Sequence, residues 1–194
     1  MSAEQTRARI LQVARAAFAR GGFTGTSVRS IAVQAGVDQA LVHHYFGTKK
    51  QLFEAAIDLP FSPSVLADSL VEVPLDELGE SLVRGLIALW NSPASEAIVP
   101  AIRTLIASQD GPQLVQGMIG QLVLEAIGPR IDHPAGSGPL RVALAGSQVI
   151  GLMLARLVMR VEPVASMPED ELVRAVGPTL QRYLTGSLGE ESSA

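Results

Sequence analysis

Apolar positions recur at helical spacing from the start of the chain. Ile10, Val13, Ala14, Ala17 and Phe18 follow the i, i+3, i+4, i+7, i+8 stripe of a helix that buries one face. Ser2 and Gln5 stand ahead of it at capping-box spacing, and Gly21-Gly22 stops it. A second stripe, Val28, Ile31, Ala32 and Ala35, follows Thr26 or Ser27 as N-cap and ends at Gly36. A short third helix opens at Asp38 and runs to about Phe46. A fourth opens at Thr48, where Thr48-Lys49-Lys50-Gln51 has capping-box spacing, and carries Leu52, Phe53, Ala56 and Ile57 on one side.

Proline changes the pattern. All 12 prolines lie at or after Pro60 and cut the remainder into helix-sized pieces. The spacing predicts helices over about 76–91, around Arg103 with a kink at Pro100, over about 112–131 and over about 140–160. No alternating strand pattern or internal repeat interrupts them. The expectation is an all-α chain with a three-helix head, residues 1–47, and a larger helical body, residues 48–194, joined by the helix that starts near residue 48.

Composition narrows the function. Of 194 residues, 47% are hydrophobic and 18% charged, enough apolar material for a sizeable core. The absence of cysteine excludes disulfides, thiolate metal ligands and a cysteine nucleophile. The first nine residues are polar and show no secretory leader. The apolar stretch over 142–161 contains Arg156 and Arg160, which argues against a membrane span. A cytoplasmic protein is expected. The net charge of −4 is unevenly placed. Residues 1–57 carry seven cations and three anions, whereas the remainder carries eight cations and 16 anions. A basic head on an acidic body suggests a polyanionic partner for the head.

Helix, glycine turn, short helix is the layout of a helix-turn-helix reader. Val42 and Phe46 share one face of the third helix with Val37 nearby, which leaves Gln39, Ala40, Leu41, His43 and His44 on the other. Amide, imidazole and small apolar groups together suit base edges. Lys49 and Lys50, the chain's only lysines, stand at a helix N-terminus, which itself attracts anions. Alone, the pair would suit a solvated helix end better than a binding site. His43 and His44 are adjacent, so their side chains diverge by about 100° and cannot form an i, i+4 metal pair. No metal or cofactor is expected.

The runs Thr26-Ser27-Val28-Arg29-Ser30-Ile31-Ala32, Ala35-Gly36-Val37-Asp38 and Val42-His43-His44-Tyr45-Phe46-Gly47-Thr48-Lys49 together resemble the DNA-binding domain of TetR-family transcriptional regulators. The resemblance covers about the first fifty residues. It implies three DNA-binding helices joined to a helical ligand-binding and dimerisation domain. It places Thr26 against phosphate, Arg29 against backbone or base, and Gln39, Ala40 and Leu41 at base-reading positions. His43 stands where the family usually has tyrosine. His44 and Tyr45 fall at groove or phosphate contacts, and Lys49 at a phosphate clamp.

The function this implies is a sequence-specific regulator, a repressor released from a palindromic double-stranded operator by an unidentified small molecule. The alternative is a DNA-binding regulator controlled by a protein partner instead. An enzyme is not expected, because His133 and Ser137 lie in a Gly/Pro-rich loop without nucleophile-elbow spacing. For the effector, the sequence offers Trp90, Arg103 and Thr104, together with Met118, Gln121 and Glu125 at i, i+3, i+7 spacing. For a homodimer it offers the i+4 stripe Ala143, Ser147, Gly151 and Ala155, flanked by Leu154 and Val158. The helix over about 112–131, with Leu114, Ile119, Leu122 and Ala126, would complete a four-helix bundle across the two-fold axis.

Overall fold

The computed structural model describes residues 2–60, 62–118 and 123–189, and among these the regular elements are all helical. Residue contacts divide the chain into two units, one formed by residues 1–62 with 100–121, the other by 63–99 with 122–194.

The first unit is built on α1 (Ala3–Gly25), α2 (Val28–Ala35), α3 (Gln39–Phe46) and α4 (Lys49–Ile57), with α8 (Gly111–Met118) packed against α1 and α4. Its boundaries follow local chemistry. Ser2 and Gln5 form a complete capping box at the start of α1. At Gly22 the backbone turns to φ 64°, so the glycine pair breaks the helix, and one further turn carries the chain to Gly25. Ser27 caps α2 with Ser30 as its partner, Asp38 caps α3, and Thr48 caps α4 with Gln51. The stripes Ile10–Phe18, Ile31–Ala35 and Leu52–Ile57 then meet in one core with Val42 and Phe46. Phe53 is fully buried at its centre and meets Phe18 edge-on, with ring centroids 4.9 Å apart.

This core does not stop at residue 47. It takes in α4 and also Leu114 of α8, which is 1% exposed. Leu114, expected at a subunit interface, therefore seats α8 inside one chain. Its spacing marked an apolar face, but spacing does not name the face's partner. Of the helix expected over 112–131, the described residues hold α8 and α9 (Leu124–Ile131); Ile119 and Leu122 lie outside the described residues.

The second unit contains α5 (Pro63–Ser69), α6 (Leu78–Trp90), α9, α10 (Gly138–Met153) and α11 (Glu169–Thr185); α7 (Ser95–Ala107) spans the boundary and holds Pro100 within it. α6 packs along α11, with Gly79 against the backbone of Gly177 and Gln181, an approach a larger residue would block. Gln181 fixes the crossing by accepting from Gly79 N (2.7 Å) and donating to the Leu75 carbonyl (2.6 Å). Arg141, only 3% exposed, donates to the carbonyls of Tyr183, Gly186 and His133 and to Ser137 Oγ. Carbonyls at the C-terminal end of α11 thus solvate a buried cation in place of water.

α10 continues into one π-helical turn, Leu154–Val158, and stops at Arg160, which has φ 54°. Gly138–Val158 has the length and mean hydropathy (1.4) of a membrane-crossing helix, yet only 17% of that window is buried within the chain. Arg141 and Arg156 occupy it, and both are committed to backbone carbonyls. Leu140 on its outer side is 55% exposed, and Met159, just beyond its end, 70%.

Candidate nucleic-acid interface

The turn between α2 and α3 is set by Gly36. Its φ of 67° and ψ of 37° place it in the left-handed region, and Val37 N donates back to the Ala32 carbonyl at 3.0 Å. Asp38 Oδ1 then accepts from Ala40 N at 2.7 Å, which starts α3. Val42 and Phe46 anchor α3 in the core, so its orientation about its own axis is fixed. Gln39, Ala40, His43 and His44 are left exposed, with Leu41 and Tyr45 half-buried at the margin.

Two cations stand on aromatic faces of this unit. Lys49 Nζ lies 4.4 Å from the Phe23 ring centroid, and the Arg7 guanidinium 5.1 Å from that of Phe46. Lys49 is the first residue of α4, so its ammonium belongs to the same region as that helix's free N–H groups. Arg29 is exposed on α2.

Thr26 departs from the expected phosphate contact. Its side chain is buried, and Oγ1 donates to the Ala17 carbonyl at 3.1 Å. The hydroxyl staples the end of α1 to the start of α2, and the exposed capping hydroxyl is that of Ser27. Adjacent hydroxyls in the sequence gave no means to tell which would turn inward.

One feature of α3 was not read from the sequence, although Gln39 and His43 stand at i, i+4 spacing. His43 Nδ1 lies 2.7 Å from the Gly47 carbonyl oxygen, and Gln39 Nε2 lies 3.4 Å from His43 Nε2. Gly47, with φ 70°, donates its own N–H to the His43 carbonyl.

The six residues expected around an effector are divided between the units. Trp90 and Glu125 belong to the second, Arg103 and Thr104 to the first; Gln121 and the Met118 side chain lie outside the described positions. Thr104, Arg103 and Glu125 are exposed, whereas Trp90 is buried. Trp90 Nε1 has no hydrogen-bond partner, and the Arg156 guanidinium lies 5.7 Å from its ring centroid. Of the expected dimer stripe, Ala143, Ser147 and Gly151 are exposed, and Leu154, Ala155 and Val158 half-buried. Among the described residues no three His, Asp or Glu side chains gather as a metal site would require. The Asp132 carboxyl is held below its usual range by the backbone N–H groups of Gly136 and Gly138.

Comparison with known proteins gives concordant matches. Residues 10–56 match the model described as bacterial regulatory proteins, tetR family, and residues 76–184 match that of the tetracyclin repressor-like C-terminal domain. An HTH-type transcriptional repressor of Mycobacterium tuberculosis is 29% identical over 188 residues, covering 93% of this chain and 90% of its own. The HTH-type transcriptional repressor NicS of Pseudomonas putida is 25% identical over 151 residues, covering 77% and 66% respectively. The crystal structure of a TetR-family regulator from Streptomyces coelicolor is 33% identical with a TM-score of 0.54, covering 93% of this chain and 95% of its own.

Proposed function

The chain belongs to the TetR family of transcriptional regulators, and on that premise we propose that it is a repressor which binds a palindromic operator as a homodimer and leaves it when a small molecule binds the body. The observation that carries this reading is α3. Buried Val42 and Phe46 pin one face, while Gln39, Ala40, His43 and His44 stand exposed together. A two-residue anchor of this kind presents the helix as a unit, as insertion into a major groove requires. Lys49 and Arg29 supply charge for phosphate, with Ser27 as the exposed hydroxyl in place of Thr26.

One recognition helix reads too few base pairs for an operator, so the reading requires two copies about 34–36 Å apart or a multiple of that spacing. The exposed apolar side of α10 favours Ala143, Ser147 and Gly151 as the line of close approach between copies, because small side chains let helices pack tightly. For the effector, Trp90 is the favoured contact. A buried N–H without an acceptor costs about 1–3 kcal/mol, and a ligand oxygen would satisfy it.

The test is selection of duplexes from a random pool by the full chain, followed by titration of the selected and scrambled sequences across salt. The selected duplex should be two-fold symmetric and bind in the range of about 10⁻⁸–10⁻¹¹ M, far above the scrambled one. Equal binding of both at every salt concentration rejects a sequence-specific regulator.

A further inference from the structure

We infer that His43 is a positioning residue for base readout: held by the carbonyl of Gly47, its imidazole orients the Gln39 amide to read adenine. The inference rests on the DNA-binding reading above and goes beyond it in assigning how one base is specified.

The chemistry starts at Gly47. A carbonyl oxygen can only accept, so the ring nitrogen 2.7 Å from it, Nδ1, must carry the proton. In the neutral imidazole Nε2 is then a bare acceptor. Gln39 presents its amide to that lone pair, with Nε2 at 3.4 Å, the long end of hydrogen-bond range. Only the NH₂ side of an amide can donate to a lone pair; the carbonyl side would face it acceptor to acceptor. The amide is therefore turned one way. One N–H points at His43, and the second N–H and Oε1 remain directed elsewhere.

That remaining pair, one donor beside one acceptor, is the complement of the adenine major-groove edge, which offers the N6 amino group and the N7 lone pair. A glutamine free to rotate its amide presents either order. One held by a fixed acceptor presents a single order and loses less side-chain freedom on binding. The arrangement depends on Gly47. Its φ of 70° suits glycine, and its N–H returns to the His43 carbonyl, so the same residue that ends α3 aims the oxygen that holds the ring. Gln39 and His43 are both exposed, so the pair does not contribute to the core.

The experiment uses the full chain and the operator obtained by selection. Binding is measured to a panel in which each base pair of a half-site is replaced in turn, for wild type, Gln39→Ala, His43→Asn, His43→Gln and the double variant Gln39→Ala/His43→Asn. Asparagine can keep the donor near Nδ1 but lacks an acceptor at the Nε2 position; glutamine can place a carbonyl there. His43→Asn should lower the preference for A·T about tenfold at the one base pair that Gln39→Ala also affects. It should add nothing there in the Gln39→Ala background, and His43→Gln should restore most of the preference. A merely structural His43 would instead weaken all panel members alike. Uniform weakening, an effect at a different base pair, or additivity with Gln39→Ala overturns the inference while leaving the DNA-binding reading intact. A wild-type chain that selects no operator overturns both.

Discussion

Lys49 illustrates how one side chain can serve fold and ligand together. Its ammonium lies over Phe23, a neighbour of Phe53 in the core, yet the charge is at the opening of α4. A phosphate contact there is sequence-independent. Lys49→Ala should therefore weaken binding to all duplexes and reduce the slope of log K against log salt by about 1, as read from titrations at several salt concentrations. Gly47 makes a different kind of demand. A Cβ on it would collide with the Gln51 side-chain amide that completes the α4 capping box, and its backbone lies where side chains are strained. Gly47→Ala should cost about 1–3 kcal/mol, lowering the thermal midpoint by about 2–4 °C per kcal/mol in a calorimetric scan.

α10 is the element whose surroundings decide most. Its inward side is settled by Val142, Ala145 and the buried Arg141, while Ala143, Ser147 and Gly151 on its outward stripe stand exposed. At Gly151 a Cβ would meet nothing within 4 Å in the isolated chain, so the monomer has room for a side chain there. Gly151→Arg should thus fold normally, sediment as a monomer at micromolar concentration and lose operator affinity; a dimeric variant would exclude this stripe as the interface. The start of α10 depends on Asp132, whose Oδ1 accepts from Gly138 N at 2.7 Å. The folded chain holds its carboxyl below the usual range, so the ionised form is favoured by folding. That stabilisation is present above the ordinary carboxylate pKa and fades as pH falls through the lowered one. Asp132→Asn should accordingly narrow the stability difference between neutral and strongly acidic pH, measured by denaturant unfolding.

For the whole molecule, the reading as a ligand-released repressor asks that a small molecule distinguish DNA-competent from DNA-incompetent states. A ligand of equal affinity for both would shift nothing. Trp90 is the only tryptophan, so its emission reports on its own surroundings. A metabolite that satisfies Nε1 should change that emission, raise the thermal midpoint by linkage and lower operator affinity over one concentration range. Trp90→Phe should leave operator binding in place and weaken the response to that metabolite. Loss of operator binding in this variant would place Trp90 in the fold alone.

What the sequence determined by itself was local. Capping residues, glycine stops and i+3/i+4 stripes fix where α1 to α4 begin and end, because those signals act within a few residues along the chain. The same spacing showed that α3 has a core face and a free face, and the motif around it carried the resemblance to a known family of regulators. Tertiary structure decided which partners those faces find. Leu114 and the Thr26 hydroxyl turned inward because α1 came to lie beside them, and periodicity is blind to elements distant in sequence. Arg141, one charge in an apolar run, became a buried tie to three carbonyls because the end of α11 and the loop before α10 converge on it. Helix boundaries are short-range free-energy balances; burial and hydrogen-bond partnership are settled only when the whole core has closed.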